Sequence, residues 1–512
     1  MNTKSEITKV LIANRGEIAV RVIRGCRDMG ITSVAVFSDA DRNALHVRLA
    51  DEAVRIGPAP ANECYLVVEN IISAAQATGA NAIHPGYGFL AENAEFASAC
   101  AEAGIIFIGP RPETITALGD KIQARKMALS AGLPVAPGVD AVVTDVGVIR
   151  KEMKRIGYPA LIKAAAGGGG KGMRVVRSDD ELADALAASG REAESAFGDS
   201  RVFVEKYLER PRHIEMQIFG DSHGNVAHLF ERECSIQRRH QKVFEEAPSS
   251  FVDETLRKKM GDAAIAIGKE SGYIGAGTVE FLVDENRNFY FLEVNTRLQV
   301  EHPVTELVTG VDLVKEQIRV AEGKPLSFSQ DDLTLRGWAI EARIYGETPE
   351  ENFLPSTGAL ALYEEPSGPG VRVDSGVREG AEVSVYYDPM LAKLCAFGAT
   401  RDEALSRLLR ALAEYRVAGV NTTIGFAQVV LDSEPFRRGD LSTAFLNDYF
   451  PDNAYGQENP HSQEVAAIVA ALAHYCENGR ANPMTNGASH ETNRGSVSQW
   501  KRRGRSLMLR KK

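Results

Sequence analysis

In the stretch FYFLEVNTRLQVEHP (289–303) a polar residue occupies every second position: Glu293, Asn295, Arg297, Gln299 and Glu301. The positions between them, Val294, Thr296, Leu298 and Val300, are mostly apolar. An extended chain points successive side chains to opposite faces, so the pattern gathers two carboxylates, two amides and a guanidinium on one face. A strand half exposed to water would alternate in the same way. The entry Phe289-Tyr290-Phe291-Leu292, however, is apolar on both faces and argues for burial. Charged groups presented from a buried strand are costly unless they bind a metal, a substrate or one another.

A further carboxylate, Glu280, lies in the strand-like run AGTVEFLVD (276–284), and only ENRN (285–288) separates the two runs. A hairpin there brings Glu280 beside Glu293. Converging oxygens, with Asn295 nearby, suit Mg²⁺ or Mn²⁺, whose coordination substrate phosphates commonly complete. Unrelated acids on a surface hairpin are the plain alternative. A third signal is GYPALIKAAAGGGGKGMRVV (157–176), four glycines between two β-like runs, with Lys163 before them and Lys171 behind. Flexible linkers look similar, but a glycine loop between strands can turn its N–H groups onto phosphate oxygens. It is not a Walker A loop, because Lys171 is followed by Gly172 rather than Ser or Thr.

These groups need a scaffold, and the chain supplies alternating elements. KVLIANR (9–15) reads as a strand, GEIAVRVIRGCRDMG (16–30) as an amphipathic helix and TSVAVFS (32–38) as the next strand; NAIHPG (81–86) and IIFIGP (105–110) repeat the theme. Strand–helix–strand alternation implies a parallel sheet. The first turn lacks GxGxxG, so the layout resembles a dinucleotide fold without its pyrophosphate loop. Short strands with turn signals then dominate from about 335, followed by helical stretches at 401–415 and 421–432. At 512 residues, 44% hydrophobic and 25% charged, the chain is long enough for several domains. A net charge of -10 argues against nucleic acid as a main partner. The six cysteines are scattered without a CxxC pair and read as reduced thiols. The opening residues show neither a signal-peptide core nor a transit pattern, and no apolar run is long enough for a membrane span, so a cytoplasmic protein is expected.

GDK (119–121), IKAAAGGGGKGMRVV, EKYLERPRHIEMQ (205–217), ECSIQRRHQKVFEEAPS (233–249), GAGTVEFL and EVNTRLQVEHPVTE (293–306) occur in this order. So do NRGEIAVR, HPGYGFLAEN (84–93), FLPSTG (353–358) and YYDPMLAKL (386–394). From about residue 7 to 448 the ordered set resembles the biotin carboxylase branch of the ATP-grasp superfamily. Phe244 replaces a smaller aliphatic residue and Thr423 an Asn, and neither change touches a polar group of the motifs. The resemblance implies an α/β and α+β multidomain fold. Its parts would be a Rossmann-like N-terminal domain (1–118), an ATP-grasp domain (119–334, mobile lid about 135–208), a β-rich biotin carboxylase C-terminal domain (335–448) and a tail (449–512). It also implies roles. Lys121, Lys163 and the loop bearing Gly168, Gly169, Gly170 and Lys171 would contact ATP phosphates. Glu205, Lys206 and Leu208 would hold adenine, with His213, Gln237 and His240 along ribose and phosphate. Glu280, Glu293 and Asn295 would ligate the metal. Lys242, Arg297, Gln299, the Val300 backbone and Glu301 would surround bicarbonate, and Arg343 would face the biotin ureido oxygen. A carbamoyl-phosphate or peptide-type ligase would share ATP, Mg²⁺ and an acyl phosphate, but RRHQK and NTRLQVEHP speak against it.

The chain has no MKM biotinylation hairpin; KEMKRIG (151–157) lies in a helical stretch. The expected partners are therefore a separate biotin carboxyl carrier protein and a carboxyltransferase subunit, with a homodimer common in the family. Beyond Tyr449 come a helical patch (462–476), a polar linker and a terminal segment, 497–512, with seven Lys/Arg and no acid. That end is either frayed or a docking arm for an acidic partner. Deleting 450–512 is expected to leave biotin carboxylation intact and to weaken assembly, read as loss of co-purifying carboxyltransferase; unchanged assembly removes the docking arm.

Overall fold

The N-terminal strands β1 (Lys9–Ile12), β2 (Thr32–Ser38), β3 (Glu52–Gly57), β4 (Ala82–His84) and β5 (Ile106–Phe107) form a parallel sheet in the order β3-β2-β1-β4-β5. This is the Rossmann-like layout expected from the alternation. The computed structural model describes residues 6–138, 146–164, 173–238, 241–451, 455 and 471, and all elements below belong to the unit Met1–Gly456. The first helix, Gly16–Asp28, buries Ile18, Ala19, Val22, Ile23 and Cys26, spaced three and four apart as one helical stripe. It stops at Met29-Gly30, where Gly30 takes φ +71°, a left-handed turn that glycine adopts without steric penalty.

A smaller antiparallel sheet, order β7-β6-β8, is made by β6 (Ala160–Ala164), β7 (Arg174–Val176) and β8 (Val202–Lys206). With helices Val146–Ile156 and Asp179–Phe197 it has its own core around Ile149, Met153, Ile162, Leu182 and Val204. A separate core is what a lid needs in order to move as a body. The KEMKRIG segment falls in the first of these helices and its flanking turn.

The largest sheet has eight antiparallel strands: β9 (Arg212–Gly220), β10 (Val226–Arg238), β11 (Gln241–Ala247), β12 (Gly275–Val283), β13 (Phe289–Asn295), β14 (Trp338–Tyr345), β15 (Val371–Ser375) and β16 (Met390–Gly398). Their order is β13-β12-β9-β10-β11-β14-β16-β15. The strands after residue 335 therefore continue the sheet begun before it. Along β9, Ile214, Met216 and Ile218 pack with Leu256, Met260 and Ala264 of helix Glu254–Glu270. His213, Glu215 and Gln217 take the opposite face. Over β11, β14 and β16 the apolar face is covered by helices Arg401–Glu414 and Ile424–Asp432 through Leu405, Leu408, Phe426 and Val430. Phe244 fills this core, its ring stacked 5.6 Å from Phe426. Thr423 accepts a hydrogen bond at Oγ1 from the Tyr345 backbone N–H at 3.0 Å.

Packing continues past the compositional change at Tyr449. Tyr455 is buried, with its ring 4.6 Å from Phe426 and 5.7 Å from Phe353. The helical patch, linker and basic end fall outside the described residues, apart from residue 471. A deletion beginning at 450 would thus remove core contacts as well as the tail. Truncation after Gly456 is expected to leave the unfolding midpoint in urea unchanged, whereas truncation after Tyr449 lowers stability by about 3 kcal/mol, the scale of losing a buried aromatic ring.

Candidate active site

β12 and β13 pair with Glu280 directly opposite Glu293 and Thr278 opposite Asn295, so the hairpin read from the sequence exists with both carboxylates on one face. β13 ends at Asn295, and the chain then turns into helix His302–Thr309 with Glu301 at its N-cap position. The single extended segment expected through 301 is therefore corrected: Pro303 and the helix end it. The alternation nonetheless persists, because Leu298 is buried in the N-terminal core while Arg297 and Gln299 face a cleft.

That cleft has a volume of about 770 Å³, the size class of ligand sites. Lys121, Lys163, Glu205, Lys206, Leu208, His213, Gln237, Lys242, Glu280, Glu293, Asn295, Arg297, Gln299, Val300 and Arg343 all line it. Glu301 lies beneath its floor, fully buried. Gly168, Gly169, Gly170, Lys171 and His240 lie outside the described residues.

The floor is an ion cluster. Lys242 donates from Nζ to Glu280 Oε1 at 2.8 Å, to Glu301 Oε1 at 2.7 Å and to Glu215. Three carboxylates on one ammonium use all its donors. Arg343 closes the far side, with Nη2 2.9 Å from Glu301 Oε2 and Nε donating to Glu245 at 2.7 Å. Arg232, wholly buried, holds Glu215 from behind and also donates to Gln217 at 2.7 Å, Thr305 at 2.9 Å and Thr278 at 3.1 Å. Burial alone would push the Glu301 carboxyl up, but Lys242, Arg343 and Arg232 outweigh it and hold the group well below the usual range. Glu280 is likewise lowered, burial being overcome by Lys242 and His213. The same carboxylates lift Lys242 against its own burial. Glu280 and Glu301 are therefore ionised at neutral pH, whereas burial raises Glu215 against the pull of Arg232 and Lys242.

A bulge makes this convergence possible. Gln237 opposes Lys242 while Ile236 opposes Phe244, so Val243 is an extra residue in β11. Val243 and Phe244 both enter the core, and Lys242 and Glu245 are left on the cleft side.

On the wall, Arg297 is fixed at three nitrogens: Nε to Glu92 at 2.8 Å, Nη1 to Gln299 Oε1 at 2.9 Å and Nη2 to Asn295 Oδ1 at 3.2 Å. His213 lies 2.9 Å from Glu280 and 2.8 Å from the Gln237 amide. Lys163 is ion-paired with Glu205, and Lys121 sits 3.5 Å from Glu293. The Lys206 ammonium donates to the Tyr158 carbonyl at 2.8 Å.

Among the described residues two clusters have ligand-like spacing, His213–Glu215–Glu280 and Glu215–Cys234–Glu301, but Lys242 and Arg232 already neutralise them. Glu293 differs. It lines the cleft, its carboxylate opposes the long Lys121 contact, and Glu280 and Asn295 stand beside it. These are hard oxygens of the kind that Mg²⁺ or Mn²⁺ carried with a nucleotide takes, with Glu280 held by Lys242 and Asn295 Oδ1 by Arg297 in this structure. Sequence reasoning missed Glu92, Glu215, Arg232 and Glu245. The period-two spacing of His213, Glu215 and Gln217 marks Glu215; Glu92, from a turn in the N-terminal domain, carries no periodic signal.

Three family models match the chain: "Biotin carboxylase, N-terminal domain" over 6–115, "Carbamoyl-phosphate synthase L chain, ATP binding domain" over 120–329, and "Biotin carboxylase C-terminal domain" over 341–448. The chain is 52% identical over 444 residues to Biotin carboxylase 1 of Bacillus subtilis, covering 86% of this chain and 99% of that protein. It is 50% identical over 510 residues to the Propionyl-CoA carboxylase alpha chain of Ruegeria pomeroyi, covering 95% of this chain and 75% of the relative. It spans about two thirds of the length of the mitochondrial propionyl-CoA carboxylase alpha chains it matches, 64% for Sus scrofa and 66% for Homo sapiens. Among solved structures, the biotin carboxylase domain dimer of Hydrogenobacter thermophilus 2-oxoglutarate carboxylase, in complex with MgADP, ADP and bicarbonate, is 45% identical with a TM-score of 0.85, covering 88% of this chain and all of that one. No helix among the described residues is long and apolar enough to cross a membrane.

Because Arg232 is buried beneath Glu215, Arg232→Met removes one of the two cations that hold that carboxylate in a dry interior. It is expected to lower stability by about 3–5 kcal/mol in urea unfolding, and Glu215→Gln in the same chain to restore part of that.

Proposed function

We propose how the residues of this cleft divide the work, from the premise that the chain belongs to the biotin carboxylase family. Its reaction is the ATP-dependent carboxylation of biotin with bicarbonate, the first half-reaction of biotin-dependent carboxylases.

Glu301 is the general base. Bicarbonate attacks the γ-phosphorus of ATP through an oxygen, its hydroxyl proton passes to Glu301, and ADP leaves, giving carboxyphosphate. The supporting observation, which carries the whole reading, is that Glu301 is held ionised between Lys242 and Arg343, both of which line a nucleotide-sized cleft, just beneath its floor. Arg297, fixed in plane by Glu92, Gln299 and Asn295, offers a fork to the planar anion, where a lysine would offer a point charge. Gln299 and the Val300 backbone complete that cradle.

Lys121 and Lys163 take the phosphates, with the glycine loop containing Gly168, Gly169, Gly170 and Lys171 closing over them. Glu205, Lys206 and Leu208 hold the adenine, the first two mainly through backbone, and His213, Gln237 and His240 flank the ribose and phosphates. Glu280, Glu293 and Asn295 would hold Mg²⁺ or Mn²⁺, which when bound neutralises charge on the transferring phosphoryl group. Carboxyphosphate then breaks to CO₂ and phosphate, phosphate removes the N1 proton of biotin, and N1 attacks CO₂. Arg343 stabilises the negative ureido oxygen formed in that step. The lid excludes water, which would hydrolyse carboxyphosphate.

The biotin is carried on a separate biotin carboxyl carrier protein and the product used by a carboxyltransferase subunit, the chain working as a homodimer within that complex. Acyl-CoA, propionyl-CoA among them, pyruvate and 2-oxoglutarate are the acceptor classes that relatives' names point to.

Purified protein is expected to release ADP from ATP only with bicarbonate, and faster with free biotin. Arg297→Ala and Glu301→Gln should each lower that rate by about 10²-fold, as for loss of comparable charge-stabilising groups. Stimulation by ammonium or an amino acid in place of bicarbonate would overturn the assignment.

A further inference from the structure

Behind Arg343 lie two carboxylates without a role above, and the inference they carry rests on Arg343 facing biotin. Glu245 and Glu341 are direct cross-strand partners on β11 and β14, so their side chains stand together on one face. Both are buried, at 1% and 0% exposure. Arg343, two residues on from Glu341, donates from Nε to Glu245 Oε1 at 2.7 Å and reaches Glu301 with Nη2 at 2.9 Å. Among the described residues Glu341 accepts only from the weak donor Cys395 Sγ at 3.2 Å. The nearest ammonium, Lys393, goes elsewhere: to the Val300 carbonyl at 2.8 Å and to Glu17 at 3.2 Å. One oxygen of each carboxylate, Glu245 Oε2 and Glu341 Oε1, has no hydrogen-bond partner among the described residues. Two buried anions side by side repel; one shared proton removes a charge and satisfies both leftover oxygens.

We propose that Glu245 and Glu341 hold one proton between them, on Glu341, and that the ionised Glu245 of this pair locks the Arg343 guanidinium in the orientation that meets the biotin ureido oxygen. Both are positioning residues, since neither touches substrate.

The surroundings agree. Glu245 is faced by Lys242 on its own strand, Glu301 from the turn before helix His302–Thr309, Arg343 and Tyr345 on β14, and Cys234 on β10. Lys393 and Cys395 on β16 face Glu341. Burial, then the charge of Glu245, pushes Glu341 well above the carboxylate range. Burial raises Glu245 too, but Arg343 pulls it back to about 7. The locked state, with Glu245 charged, therefore exists above about pH 7 and is lost as pH falls through that value.

The test measures kcat/KM for free biotin across neutral pH on the full chain, with bicarbonate-dependent ATP cleavage in the absence of biotin as the reference. In the wild type the biotin profile should carry an acid limb near pH 7 that the reference lacks. Glu245→Gln should abolish that limb and lower kcat/KM for biotin by about 10- to 100-fold, the scale of a misplaced catalytic group. Glu341→Gln, whose amide replaces the proton donor, should keep the limb and more biotin activity than Glu341→Leu. A limb that survives in Glu245→Gln, or Glu341→Gln no better than Glu341→Leu, overturns the proposal. If Glu245→Gln does not fold, the comparison of the two Glu341 variants decides. A wild type that shows no bicarbonate-dependent cleavage overturns the functional reading and this inference together, whereas normal cleavage with an unmoved limb overturns only the inference.

Discussion

One ammonium shared by three buried carboxylates sets the terms for the rest of the molecule. Lys242 could not lie in that interior without Glu215, Glu280 and Glu301, nor they without it and the flanking Arg232 and Arg343. The net attraction of such a group is modest once desolvation is counted. Its value lies in preorganisation: charges placed before substrate arrives need not be moved during reaction. The apolar side of the sheet bears the stability that this polar side lacks, with Phe281, Met216 and Val279 on one stretch and Phe244, Ile340 and Leu394 on another.

Three separate stretches of chain must agree for the cluster to exist. β9, β10 and β11 bring Glu215, Arg232 and Lys242, β12 with the segment after β13 brings Glu280 and Glu301, and β14 brings Arg343. The N-terminal sheet joins through Glu92, which receives hydrogen bonds from Thr296 and Arg297. A side chain from one domain thus fixes the angle of a guanidinium in another, and the site depends on how those domains dock.

Much of this was legible in the sequence, because strands announce themselves by period two. The polar alternation at 293 and 295 needed only the pleat, and the short ENRN connection fixed the pairing of Glu280 with Glu293. The Rossmann-like layout followed from strand–helix alternation. What could not be read is long-range or irregular. The bulge at Val243 turns Lys242 and Glu245 to one side against the simple alternation of QKVFEEA, and nothing local marks it. That Glu301 ends as a helix cap depends on Pro303 and on packing against β14. The pairing of β11 with β14 joins residues about a hundred positions apart, so Glu245 could not be connected with Arg343 beforehand. Tyr455 lay beyond the compositional break, where a ring in a polar context gives no hint of its seat against Phe426.

The continuity of the eight-stranded sheet across residue 335 has a consequence for anyone wishing to excise the nucleotide-binding portion. A fragment ending there would leave β11 as a raw edge, its backbone N–H and C=O groups deprived of β14 and free to recruit another chain. The same cut would strip the hydrophobic cover from Val243 and Phe244 and leave Glu245 without its counterion. Such a piece is an aggregation hazard, because the sheet that carries the ion cluster runs unbroken from β9 to β16.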